Sequence, residues 1–304
     1  MQFERIFADG VLIDVDIRYW SGQRKLTAQD LQLKEVPDIY SLGRKYLVFK
    51  EVINNFRRIE KRARRLVDSY SFIFPVGNTR FMPRRAALEA LPRLDEIRAE
   101  FMDAAEAFIA TYDELREKML QKYAQYRQYL EPYYPDSAWV RSRFSFDYHL
   151  YTITAPDVSG MEQVSGEELQ AKQMAFEEHL RNYRERLSRE FDHFIAGVVK
   201  QLRFEAAELC NKIAEKVKQG EVVTERSLNR LRQLVDKYTQ LNFVGDRQIE
   251  EMLCNLRDRW LSGEIPDAKL DQFAGALREV VTAASQVTDI SAITGTYKRR
   301  IKIA

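Results

Sequence analysis

An unbroken helical stripe constrains this chain more than any other feature. No proline falls between Ser165 and Lys218, where Phe176, Leu180, Tyr183, Leu187, Phe191, Phe194, Val198, Leu202, Leu209, Ile213 and Val217 recur mostly at spacings of three and four. That period marks one face of an α-helix. Ser165 with Glu168 reads as a capping box, and Gly220 as a stop. At 1.5 Å per residue such a helix is about 80 Å long, more than a compact globule covers. It needs a partner of similar reach. A second stripe offers one: Leu94, Ile97, Phe101, Ala105, Phe108, Tyr112, Leu115, Met119, Tyr123, Tyr126 and Leu130. It predicts a helix of about 55 Å, ended by Pro132 and Pro135. The expected fold is mainly α, with a long antiparallel, coiled-coil-like hairpin over 86–220. Whether the two helices pair within one chain or between chains stays open.

The flanking segments fill in the plan. Residues 11–20, VLIDVDIRYW, alternate as a half-buried strand does, and so do residues 138–154. We expect a small β element from about 11–20 and 140–154. Thr27 with Asp30 resembles a capping box that opens a short helix. A basic amphipathic helix is expected over 48–69. Residues 70–83 then break it with Pro75, Gly77, Asn78 and Pro83 in an unusually apolar loop. Three shorter helices form a C-terminal cluster: Thr224 to about Leu241, Asp246 (a good N-cap) to Trp260, and one from Pro266 and Asp267. The basic tail TGTYKRRIKIA reads as a terminal strand or an arm. The chain thus divides into 1–85, 86–220 and 221–304.

Composition closes several routes. Cys210 and Cys254 are the only cysteines, too few for a disulfide framework or a CxxC zinc knuckle. The N-terminus lacks signal-peptide order, and no apolar run approaches a membrane span. A cytoplasmic setting without membrane contact is expected. Formal net charge is only +2, so any charge-driven role must come from local blocks.

Two surfaces are candidates for partner contact. The 48–69 helix carries Arg57, Arg58, Lys61, Arg62, Arg64 and Arg65, which could meet phosphates or an acidic partner. A solvated face explains them too. So does the acidic 89–118 segment, with nine acids against four bases. Tyr129, Tyr133 and Tyr134, near the end of the second stripe, could stack on a partner, whereas Tyr123 and Tyr126 continue the packing stripe.

Metal and nucleophile chemistry finds little footing. Glu190 and His193 make one Glu-x-x-His pair, where a di-iron bundle needs two pairs plus two more carboxylates. Asp14 and Asp16 share a strand face and could hold Mg²⁺, but a wet strand face accounts for them. There is no GxSxG and no GxxxxGK[ST]. No catalytic residue, metal site or cofactor is expected.

The segments LIDVDIRYWSGQRKLTAQDL, SLGRKYLVFK, FRRIEKRARRLVDSYSFIFPVGNTRFMP and RLDEIRAEFMDAAEAFIATYDELRE, in that order, resemble the bacterial and phage family catalogued as domain of unknown function 3150. Trp20, Ser21, Gly22, Lys25 and Leu26, with the run from Arg62 to Tyr70, are its most specific parts. The resemblance covers residues 11–120 well and extends over most of the chain in less distinctive helical sequence. It transfers no catalytic residues. By genomic association it implies partners: a MoxR-type or CobS-like AAA+ ATPase, a von Willebrand A-domain protein, or both. The expected function is a non-enzymatic helical adaptor or structural subunit of an assembly, itself open to oligomerisation. The alternative is a nucleic-acid-binding component using the basic helix at 57–65.

Overall fold

The computed structural model describes residues 4–31, 33–34, 37, 41–77, 79–153, 167–263, 265–286 and 292–297. Its strands are β1 (Gly10–Arg18), β2 (Gln23–Lys25), β3 (Arg44–Tyr46), β4 (Phe72–Ile73), β5 (Arg80–Pro83) and β6 (Ser145–Tyr151). Its α-helices are α1 (Lys50–Ser69), α2 (Arg84–Ala110), α3 (Tyr112–Lys122), α4 (Arg127–Leu130), α5 (Ser137–Arg141), α6 (Glu167–Lys218), α7 (Glu225–Leu241), α8 (Arg247–Trp260) and α9 (Leu270–Ser285). The chain is predominantly helical with a small antiparallel sheet, as its periodicities require. The larger sheet runs β4-β5-β1-β6, and β2 and β3 form a separate ribbon. Strands at 11–20 and 140–154 are therefore neighbours, as expected.

The chain folds into two compact units, each built from separated segments. One comprises Met1–Ile13, Tyr70–Leu88 and Leu150–Ala304; the other, Asp14–Ser69 and Glu89–His149. This division cuts across the three consecutive parts suggested by the helical stripes.

In the second unit, α1 buries Ile53, Phe56, Ile59, Ala63 and Val67, one face at helical spacing. Phe56 lies at the centre of an aromatic cluster, with ring centroids 5.8 Å from Tyr19, 5.5 Å from Phe101, 6.1 Å from Phe108 and 5.0 Å from Phe144. Trp20 closes it against Phe108 and Tyr112. Directly after Trp20 the chain turns at Gly22, whose φ of 60° suits glycine. A Cβ there would come within 2.5 Å of Val48 Cγ2. The turn lets Leu47 N–H donate to Gly22 O at 2.8 Å, and β2 and β3 pair beyond it. The Thr27–Asp30 capping box forms, with Thr27 N–H donating to Asp30 Oδ2 and Asp30 N–H to Thr27 Oγ1, and it opens a single 3-10 turn at Gln29–Leu31.

The second stripe is more fragmented than expected. Its helix begins ten residues early, at Arg84, and passes through Pro92. Leu88, whose carbonyl loses its partner there, is 74% exposed, so water can replace the bond. The helix then breaks at Thr111, whose hydroxyl donates to the Ala107 and Phe108 carbonyls and competes with the helical ladder. It breaks again at Tyr123 (φ −117°, ψ 42°). The strand expected from residue 138 starts only at Ser145. Asp136 accepts from Trp139 N–H at 2.7 Å and caps α5 instead.

In the first unit, α6 reaches Lys218 as the stripe predicts; its expected cap at Ser165 lies outside the described residues. It ends in a Schellman motif, with Glu221 N–H donating to Lys216 O, Gly220 N–H donating to Val217 O, and Gly220 at φ 71°. The principal helix packed along α6 is α9, with α7 a lesser neighbour. The expected hairpin with the 94–130 stripe is not confirmed: that stripe from Leu94 to Tyr112 is buried in its own unit, and Phe273, Leu277 and Val280 of α9 are buried in the unit where α9 packs along α6. The apolar loop at 70–83 proves to be a hairpin of β4 and β5. It presents Phe74 and Phe81 to Phe194 of α6, at 5.3 and 6.0 Å. The start of the tail is helical at 292–297, and buried Tyr297 donates its hydroxyl to Asp9 at 3.0 Å. Residues 298–304 lie outside the described residues.

Candidate functional site

The outward face of α1 is a strongly charged ridge in the second unit. Burying Phe56, Ile59 and Ala63 leaves Arg57, Arg58, Lys61, Arg62, Arg64 and Arg65 exposed, because these positions fall opposite the apolar stripe. They differ in what holds them. Arg62 pairs with Glu100 of α2, and Arg64 with Glu60, 2.9 Å away. Among the described residues, Arg62 is thus the one α1 cation that uses the acidic partner surface expected at 89–118. Arg57 lies near the Tyr19 hydroxyl, which donates to Glu60 at 3.1 Å. Burial first, and then Glu60, raises the Tyr19 hydroxyl above its ordinary pKa. Arg58 reaches only Asn55, at 3.1 Å. Among the described residues no carboxylate pairs with Arg58, Lys61 or Arg65. These three are spaced by three and four residues, so they form one line about 10 Å long. Arg62 and Arg65 also border a groove of about 560 Å³, with Leu66, Ser69, Ile97 and Glu100.

The tyrosines are arranged differently from the sequence expectation. Tyr133 is half-buried under Lys45, whose Nζ stands 3.5 Å from the ring centroid. Lys45 is itself buried, donating to Asp30 Oδ1 at 2.5 Å and to Tyr129 O at 2.9 Å. Burial would raise the Asp30 carboxyl, but hydrogen bonds from Lys45 and Thr27 outweigh it and hold the carboxyl below its ordinary pKa. Tyr134 packs near Arg116, and among the described residues its buried hydroxyl has no hydrogen-bond partner. Burial pushes that hydroxyl up to about 12. Tyr129, Tyr133 and Tyr134 thus knit the fold around Lys45 and Arg116. The more exposed aromatics are Tyr123 and Tyr126, which line a pocket of about 440 Å³ with Lys45, Lys50 and Met119.

Sequence reasoning missed the main polar centre of the first unit. Arg203 on α6 donates to Asp246 through Nε at 2.6 Å and Nη2 at 3.1 Å, and to the Ala283 and Gln286 carbonyls. Tyr238 donates to the same carboxylate at 3.0 Å. Both charged side chains are 2% exposed. Asp246 does precede α8 as an N-cap should, but its side chain makes no cap bond because Arg203 and Tyr238 hold it. Asn242 shapes the preceding turn, accepting from Gly245 and Asp246 N–H. Arg203 Nε, Nη1 and Nη2 all donate within the unit, so the network ties α6, α7, α8 and the end of α9 together.

The remaining candidates stay apart. Asp14 is exposed, and Asp16 pairs with Arg18. Glu190 lies 3.8 Å from Arg186, and His193 is exposed. Among the described residues, no three His, Cys, Asp or Glu side chains group as metal ligands would, and no helix is long and apolar enough to cross a membrane. Cys210 is fully buried, and burial pushes its thiol up to about 12.

Compared with known proteins, the chain matches over residues 8–288 the model of a family described as protein of unknown function (DUF3150). The chain belongs to the DUF3150 family. No curated protein and no solved structure matches it. In this DUF3150 chain, the Trp20-Ser21-Gly22 segment is the turn that seals the aromatic cluster and starts the β2–β3 ribbon. The run from Arg62 to Tyr70 carries Arg62, Arg64 and Arg65 of the charged ridge together with Ala63 and Val67 of the buried face.

Proposed function

We propose that this DUF3150 protein is a non-enzymatic helical adaptor or structural subunit of a cytoplasmic assembly, and that the ridge of α1 is its partner-facing surface. The observation that carries this reading is the line Arg58, Lys61 and Arg65. It is exposed, without carboxylate partners among the described residues, and mounted on a helix fixed from behind by Phe56. Cations on a rigid element keep their spacing, which favours recognition of an acidic surface. The partner class we propose is a MoxR-type or CobS-like AAA+ ATPase, or a von Willebrand A-domain protein, in a phage, mobile-element or defence setting. Affinity purification from the native host, followed by mass spectrometry, tests this. A stoichiometric partner that is lost when the three cations become glutamates supports the reading; recovery of the chain alone counts against it.

Nucleic-acid contact is the second reading, favoured by the same unpaired cations. Three phosphate contacts would give a log–log salt slope of about −2 to −3. Binding to DNA or RNA that survives reversal of Arg58, Lys61 and Arg65 would eliminate it.

A further inference from the structure

The apolar stripe of α6 continues beyond the core that covers its other end. From Leu187 onward, Leu187, Phe191, Ile195, Val198 and Leu202 are buried. Before Leu187 the same stripe runs on in register through Tyr183, Leu180 and Phe176, yet no described residue from Met174 to Arg186 is buried. Phe176 is 45% exposed and Met174 71%. Residues 167–186 amount to about 30 Å of helix. Leu180 and Tyr183 are half-buried, so this apolar face is incompletely covered, and isolated helices depend on packing of such a face.

The charge sequence says what fits there. Residues 167–178 hold four acids and one base, and residues 179–189 hold four bases and one acid. The helix therefore changes sign near Glu178. A second α6 laid parallel would set acid on acid and base on base. Laid antiparallel and centred at Glu178, it sets each acidic stretch against a basic one, and Phe176 of one copy falls opposite Leu180 of the other. This is an isologous two-fold contact, in which one patch serves both chains. We infer that the exposed arm of α6 is a self-association surface, pairing antiparallel with the same arm of a second copy. This rests on the reading of the chain as an assembly subunit but does not involve the α1 ridge.

The test uses the full-length purified chain, with mass read by sedimentation or light scattering, at about 100 μM, well above a micromolar dissociation constant. Wild type is expected at the mass of two chains. Phe176→Glu with Leu180→Glu is expected at the mass of one, with helical circular dichroism retained because both sites lie outside the core. Glu177→Lys with Glu178→Lys, or Arg181→Glu with Arg186→Glu, should each weaken pairing at least about tenfold, or 1.4 kcal/mol. Combining all four exchanges reverses the gradient and should restore the dimer. A wild-type chain that stays single at this concentration overturns the inference. So does a Phe176→Glu, Leu180→Glu chain that stays paired, or a fourfold exchange that fails to restore pairing. Failure of these arms leaves the ridge reading intact, since partner capture by Arg58, Lys61 and Arg65 is measured separately.

Discussion

The two units are held together by different means. The Phe56 unit has an aromatic centre with the α1 cations exposed, and its one buried ion pair among the described residues, Lys45–Asp30, lies under the Tyr133 ring. The α6 unit has apolar helix faces too, but also a charged pair at 2% exposure in its interior. Aromatic burial is non-directional and tolerates rearrangement. A buried arginine with five inward hydrogen bonds fixes one arrangement of α6, α8 and the end of α9. The first unit should therefore be sensitive to loss of a partner, and the second to loss of volume.

The largest effects should separate these modes. Arg203→Ala leaves Asp246 buried and uncompensated, and should cost about 3–5 kcal/mol in denaturant unfolding. Replacing both partners, Arg203→Met with Asp246→Leu, should recover most of that loss. Recovery of none would mean that the carbonyl contacts matter more than the charge pair. Phe56→Ala should cost a comparable amount, about 3–5 kcal/mol, through the cavity it opens; there Phe56→Leu should restore a good part.

Smaller effects sharpen the contrast at the edge of the aromatic unit. Asp30 has a lowered pKa in the folded state, so its stabilisation is fully present above the ordinary value of 3.8 and is lost as pH falls below that value and through the lower folded pKa. The stability difference between wild type and Asp30→Asn should be flat above about pH 5 and shrink below it. A difference that grows towards acid would refute the Lys45 pairing. Smallest of all, Tyr134→Phe removes a buried hydroxyl with no partner among the described residues and should be neutral or stabilising, by up to about 1 kcal/mol. A clear loss in thermal unfolding would show that the hydroxyl bonds water or a ligand.

The same contrast explains what the sequence could reveal. Periodicity announced α1 and α6 to α9, because burial on one face imposes it. It exposed the cations of α1 for the same reason. It could not announce β4 and β5, of two and four residues, which are too short to show alternation. Nor could it pair Arg203 with Asp246, since the partners lie 43 residues apart. One signal was available: Arg203 occupies the series Val199, Arg203, Ala206, Cys210, an arginine on an otherwise apolar face. The hairpin expectation is not confirmed, because a stripe records that a helix is covered, not by what.

The central claim is that the outward line of α1 serves recognition while its inward face serves the fold. Reversing Arg58, Lys61 and Arg65 together to glutamate, and following both thermal unfolding and partner capture, tests it most directly. We expect stability within about 1 kcal/mol of wild type, as for exposed charges, and loss of the partner. Capture that persists, or a fold that collapses, would contradict it.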